Sequence, residues 1–286
     1  MKAGMIVTDL DGTLLRDDKT VSDFTIGVIK KYQSEGGIFV AATARPVRAA
    51  SEYMKMLNLD SGIFHNGAVI QEKGRTTGGY GVKNAGELVL AILKKYPFSN
   101  IAVEAADVLY ANFDADRLWP GAEYISCETF AQLRGKTADK IIVEVTSLSE
   151  MEKYKALLPD ELYIQLSENK IGMIMNQSAT KYNAISFLAE RYHISMDDVI
   201  AFGDDYRKMR KGNRSQQCAG NCKKCCQRGV RIQSGGWSRA LDRRKSAQYL
   251  TRNGMVCPGG DGRYRVTFLF GDDSKVELSL SARQAG

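Results

Sequence analysis

Over the first 206 residues, short apolar runs that end in polar or acidic clusters alternate with segments whose apolar residues recur three and four positions apart. That alternation predicts strands and helices in turn. Ile6-Val7-Thr8 leads into Asp9 and reads as a strand, with Gly12 turning the chain sharply away. Ser22 is the expected N-cap of a helix over Asp23 to Ser34, on which Phe24, Val28, Ile29 and Tyr32 share a face before Gly36-Gly37 stop it. A second strand follows over Gly37 to Thr43, and strand, helix and strand in this order imply a right-handed parallel crossover. Ala49 to Leu59 is a second amphipathic helix. Ile63-Phe64 and Ala68 to Gln71 are short strands about Asn66-Gly67, a pair that suits a hairpin turn.

From about Asn84 to Met175 the pattern becomes a self-contained alternation. Helices are expected over Glu87 to Tyr96 and Met151 to Leu158, and strands over Ile101 to Glu104, Val108 to Asn112, Lys140 to Val145, Tyr163 to Ser167 and Gly172 to Asn176. Lys181 then opens a helix through Ala184, Phe187, Leu188 and Tyr192, and Val199 to Phe202 is a further strand. After Tyr206 the periodicity is lost, so nothing there reads as the next crossover of a parallel sheet. Order returns as a hairpin pattern, Tyr264 to Phe270 and Lys275 to Ser281 about Gly271 to Ser274.

The chemistry-bearing residues stand at the ends of these runs. Asp9-Leu10-Asp11-Gly12-Thr13 places two carboxylates beside one crevice at a strand's carboxyl end, where they need a cation or a proton between them. The bland reading is a capped turn. Lys181 in a first helical turn is unfavourable to the helix dipole; either it is simply solvated or it faces an anion such as phosphate. Asn66 is equally well a turn residue or a group at a substrate mouth.

Four segments resemble, in order, the signatures of the haloacid dehalogenase superfamily of aspartyl-phosphate phosphatases: Asp9 to Thr13, the strand ending in Thr43 with Arg45-Pro46 after it, Lys181, and Val199 to Asp205. His65-Asn66-Gly67-Ala68 is similar to a substrate-side loop of the Cof-like branch. The resemblance implies an α/β fold, a Rossmann-like parallel-sheet core (residues 1–83 and 178–206) with an inserted α/β cap domain (84–177). It implies Asp9 as nucleophile and Asp11 as acid and then base. Asp9, the backbone carbonyl of Asp11 and Asp204 would hold Mg2+, Thr43 and Lys181 would bind phosphate, and Arg45 and Asn66 would face the substrate. The implied substrate is a small phosphorylated metabolite, with sugar phosphates as the family's leading class.

Composition changes this picture only beyond residue 206. The chain has 286 residues, is 44% hydrophobic and carries a net charge of +7. Residues 207–263 hold 15 Lys and Arg against 2 Asp and Glu, so this tract alone is +13 and the remainder −6. Five of the 6 cysteines fall after residue 206. No signal peptide or bilayer-length apolar run is evident, so a cytoplasmic location and no membrane partner are expected. The acidic signature departs from the family's pattern after Asp204, where an Asn-Asp pair and an apolar helix are missing. Read from the second nucleotide of each codon, degenerate codons for Asn213 to Cys226 and Gly235 to Asp242 can encode segments resembling the family's next strand, helix and closing segment. A deletion with a frameshift near Tyr206 therefore accounts for the basic, Cys-rich tract over 207–263, read as disordered or out of frame ahead of a hairpin-like tail over 264–286. The rival reading is a catalytically dead binding protein whose Cys218, Cys222, Cys225 and Cys226 bind zinc while the tract grips nucleic acid. Sparse aromatics and irregular cysteine spacing count against it.

Overall fold

The computed structural model describes residues 4–167, 170–203, 230–234, 249–251, 254–258, 263–269 and 275–281. Chain order begins β1 (Met5–Thr8), α1 (Asp23–Ser34), β2 (Ile38–Ala42), α2 (Val47–Met56), β3 (Ser61–Phe64), β4 (Val69–Glu72) and β5 (Arg75–Gly78). An inserted unit follows: α3 (Ala85–Lys95), β6 (Ile101–Ala105), β7 (Val108–Ala111), β8 (Ile125–Ser126), β9 (Lys140–Glu144), α4 (Leu148–Lys155), β10 (Leu162–Ser167) and β11 (Ile171–Asn176). The chain then returns through α5 (Lys181–Arg191) and β12 (Val199–Gly203) to β13 (Val230–Ser234), β14 (Tyr249–Thr251), β15 (Gly254–Pro258), β16 (Arg263–Leu269) and β17 (Lys275–Ser281).

The first sheet has the order β13-β12-β1-β2-β3-β4-β5, parallel from β13 to β3 and antiparallel from there to β5. Its central strands are apolar without interruption because both faces are covered. Ile6, Phe39 and Ala41 pack with Val28 and Ile29 of α1 on one face; Met5, Val7, Val40 and Ala42 pack with Ala184, Ile185 and Leu188 of α5 on the other. Thr8 pairs with Ala41 on one side and Phe202 on the other, so β1, β2 and β12 end level and their following residues converge on one edge.

The second sheet, β10-β11-β9-β6-β7-β8, packs against α3 and α4 through Val89, Ile92, Ile101, Val103, Ile141, Val143, Met151 and Tyr154. Val82 and Ala138 exchange backbone hydrogen bonds at its root, and Tyr80 N–H donates to the Gly67 carbonyl. This is the α/β core with an inserted α/β cap that the sequence implied.

Two helices depart furthest from expectation. The second helix spans Val47–Met56 rather than Ala49 to Leu59, and Asn58 in the left-handed region ends it. The cap's last helix spans Leu148–Lys155 rather than Met151 to Leu158, because the Ser147 hydroxyl accepts from Glu150 N–H and starts it early. A third difference lies after β12. Val230–Ser234 runs parallel to it, where no further parallel strand was expected; its sequence alternates apolar and polar residues, as an edge strand does. The tail hairpin pairs as expected, β16 with β17, and continues through β15 to β14. The cysteines at 218, 222, 225 and 226 lie outside the described residues.

Candidate active site

Asp9 is the first residue beyond β1, its N–H bonded to the Phe202 carbonyl and one carboxylate oxygen accepting from Leu10 N–H at 2.8 Å. Gly12, with φ of 72°, lets the chain fold back so that Leu14 N–H reaches the Asp9 carbonyl and Leu15 N–H that of Leu10. The other Asp9 oxygen accepts from Lys181 Nζ, although 172 residues separate the two in the chain. Asp9 is 9% exposed and Lys181 2%, so an ammonium and a carboxylate face each other in a water-poor site. Thr180 caps α5 by accepting from Asn183 N–H, which fixes where Lys181 enters.

Asp11 points the other way, toward Arg45. Arg45 Nε and Nη2 each donate to its carboxylate at 2.7 Å, and Lys19 Nζ adds a third contact at 2.8 Å. The Arg45 hydrogen bonds above all, with those of Lys19, lower the Asp11 carboxyl to about 2 against a partial burial that opposes them. Arg45 also lies over the Tyr53 ring at 5.2 Å. Thr43 is buried; its hydroxyl accepts from Arg45 N–H and its carbonyl from Asn66 N–H. Asn66 does adopt a left-handed turn conformation, and its side-chain oxygen is buried without a hydrogen-bond partner. Next to it, Gly67 sits at φ of 109°, where a Cβ would fall 2.5 Å from the Thr180 carbonyl. The Asn66 loop is therefore pressed against the start of α5.

Five predicted residues, Asp9, Asp11, Thr43, Arg45 and Lys181, thus meet at one sheet edge with Asn66 linked to Thr43, whereas Asp204 lies outside the described residues. Among the described residues no group of three His, Cys, Asp or Glu is arranged to hold a metal. The donors that are described, the carboxylate of Asp9 and the carbonyl of Asp11, are hard oxygens and fit Mg2+ rather than a thiophilic ion. The Thr13 hydroxyl, buried and without a hydrogen-bond partner, adds an unused polar group beside them. Sequence reasoning missed Lys19, which carries no local signal, and Thr13, which stood in the first motif and was given no role. A groove of about 480 Å³ on the cap, lined by Tyr96, Phe98 and Tyr154, contains none of these residues.

Comparison with known proteins agrees with this geometry. Residues 6–207 match the model of the haloacid dehalogenase-like hydrolases. A Bacillus subtilis relative named 5-amino-6-(5-phospho-D-ribitylamino)uracil phosphatase YitU is 24% identical over 222 residues, covering 71% of this chain and 81% of its own. A crystal structure of TM0651 from Thermotoga maritima superposes with a TM-score of 0.61 at 22% identity, covering 71% of this chain and 80% of its own. The subclass IIB sugar phosphatase BT4131 gives 0.58 at 16% identity, covering 71% and 81%. The chain belongs to the haloacid dehalogenase-like hydrolases, and it is an enzyme of the phosphatase type. Among its described residues no helix is long and apolar enough to cross a membrane.

Proposed function

We propose that the chain hydrolyses phosphate monoesters of small metabolites, in the cytoplasm, through a phosphoryl group carried on Asp9. The observation that carries this reading is the buried contact between Lys181 and Asp9 at the end of β1. The ammonium pairs with the carboxylate and aims it, and a phosphoryl group entering between them is met by both a nucleophile and a cation. Asp9 attacks phosphorus while the ester P–O bond breaks, and Asp11 gives a proton to the leaving alkoxide. Water then attacks phosphorus, Asp11 takes its proton, and Asp9 is released with inorganic phosphate. To act so, Asp11 must exchange its Arg45 and Lys19 partners for the leaving oxygen. Thr43 donates to a phosphoryl oxygen, and Lys181 balances the charge there. Asp9, Asp11 and Asp204 would hold Mg2+, which offsets the repulsion between carboxylate and phosphate when bound.

A sugar phosphate is the proposed substrate class, supported by the sugar-phosphatase neighbour and by the relative named for a phospho-ribityl compound. The test is magnesium-dependent hydrolysis of an aryl phosphate and a panel of sugar phosphates. Asp9→Asn should abolish it, a loss of roughly 1000-fold or more. A folded wild-type chain with neither activity nor phosphate affinity would overturn the reading.

We infer as well that the residues after 206 derive from a shifted reading register. Supporting this, the family match ends at residue 207, where the basic tract begins, and the YitU match covers 71% of the chain.

A further inference from the structure

Between the core and the cap lies a cluster of charged groups that the proposed reaction does not use. Arg48, in the first turn of α2, reaches across to Glu104 on β6, with Nη1 2.8 Å from one carboxylate oxygen and Nη2 2.9 Å from the other. The Glu104 side chain is only 6% exposed, so this is a two-pronged ion pair on nearly dry ground. Arg48 Nη1 also donates to the Asp107 carbonyl at 3.2 Å. The first turn of α2 is held from the cap as well. Pro46, at its N-cap position, offers no side-chain hydrogen bond, and the Asp107 carboxylate instead accepts from Arg48 N–H at 2.9 Å. Ala106 and Asp107 both occupy the left-handed region, a tight two-residue turn between β6 and β7 that fixes the direction of that carboxylate.

The core partner in these contacts belongs to the same short segment as Thr43, proposed to bind phosphate, and Arg45, expected to face the substrate. Thr43 and Arg45 stand five and three positions before Arg48; Arg45 holds Asp11 and also donates to the Ala49 carbonyl. Position of the cap and position of the Thr43–Arg45 loop are thus tied through one helix end. We propose that Arg48 is a positioning residue, a latch through which docking of the cap's β6–β7 turn sets the Thr43–Arg45 segment and, through Arg45, the alignment of Asp11. This rests on the phosphatase reading for its catalytic consequence, but not for the docking itself.

The test compares the full-length wild type with Arg48→Ala and with Asp107→Gly, which keeps the left-handed backbone and removes only the carboxylate. The expected result is a larger radius of gyration in small-angle scattering and faster amide exchange in both the β6–β7 turn and the first turn of α2. With an aryl phosphate, kcat should fall roughly 10- to 100-fold while binding of inorganic phosphate is unchanged, the signature of lost alignment rather than lost binding. A merely structural contact lowers the melting temperature without this division between turnover and phosphate affinity. If either variant folds with wild-type radius and exchange, the latch is wrong. If the variants open while the wild type hydrolyses no phosphate ester, the latch stands and the phosphatase reading fails.

Discussion

Two charged residues behave against their usual chemistry, and each can be tested singly. Lys19 holds Asp11 ionised alongside Arg45, yet the proposed reaction needs Asp11 as a proton donor. Lys19→Ala should let the Asp11 carboxyl rise from about 2 and raise kcat/KM at alkaline pH relative to wild type, by several-fold on the order expected for loss of one exposed partner. A lower kcat/KM at every pH would mean that Lys19 serves the substrate instead. Asp139 is the second case. Burial first, and then the Glu104 charge, push its carboxyl up from 3.8 to about 7; the Asp107 backbone hydrogen bond opposes the rise, the Asp107 charge adds a smaller part to it, and Lys140 opposes it. Facing it at 3.8 Å is His65, which burial first and then Lys140 and Arg48 hold well below 6.5. The folded interface therefore favours protonated Asp139: its stabilising share is complete below about pH 4 and lost as pH rises through 7, whereas that of neutral His65 is lost as pH falls below 6.5. Asp139→Asn should melt higher than wild type at alkaline pH, by on the order of 2 kcal/mol, with the gap closing toward pH 4. Parallel melting curves across pH would show that Asp139 is not buried in its charged form.

At the scale of elements, what was legible is what is encoded locally. Ser22 capping Thr25 N–H puts α1 where the sequence placed it, Asp23–Ser34, and the apolar run before Asp9 gives the strand that carries the site. The start of α4 was encoded too, in Ser147-Leu148-Ser149-Glu150, and simply went unread: Ser147 accepts from Glu150 N–H while the Glu150 carboxylate accepts from Thr146 N–H. Ser147→Ala should cost about 1 kcal/mol of stability by thermal or urea unfolding, and no loss would show that Glu150 alone starts the helix. The start of α2 is a different matter. Its capping carboxylate comes from Asp107, 59 residues later and in the other unit, so no window of sequence around Pro46 contains the information. The same holds for the His65–Asp139 pair, whose significance arises only when the chain is folded.

For the whole molecule, the level ends of β1, β2 and β12 make a site only if the chain after Asp204 continues the sheet and covers its face. The strand beside β12 is Val230–Ser234, drawn from a tract of 15 basic and 2 acidic residues, while the rest of the chain carries −6. An exposed parallel edge is costly because its backbone groups need partners and its apolar face needs cover; the usual crossover supplies both, its strand the partners and its helix the cover. A tract of net charge +13 instead concentrates like charges along the chain, and their mutual repulsion is screened by salt. If the shifted register is correct, the codons for Asn213 to Cys226 spell an apolar strand and helix, and reading the nucleotide sequence decides this directly. The protein translated in that register should then lose the +13 tract, unfold at a higher temperature, and show greater magnesium-dependent phosphatase activity than the present chain under the same conditions. Codons that do not permit the strand and helix, or a restored chain no more stable or active than this one, would make the Cys-rich tract a native part of the enzyme. Zinc stoichiometry of the purified protein under reducing conditions then tells whether its cysteines bind metal.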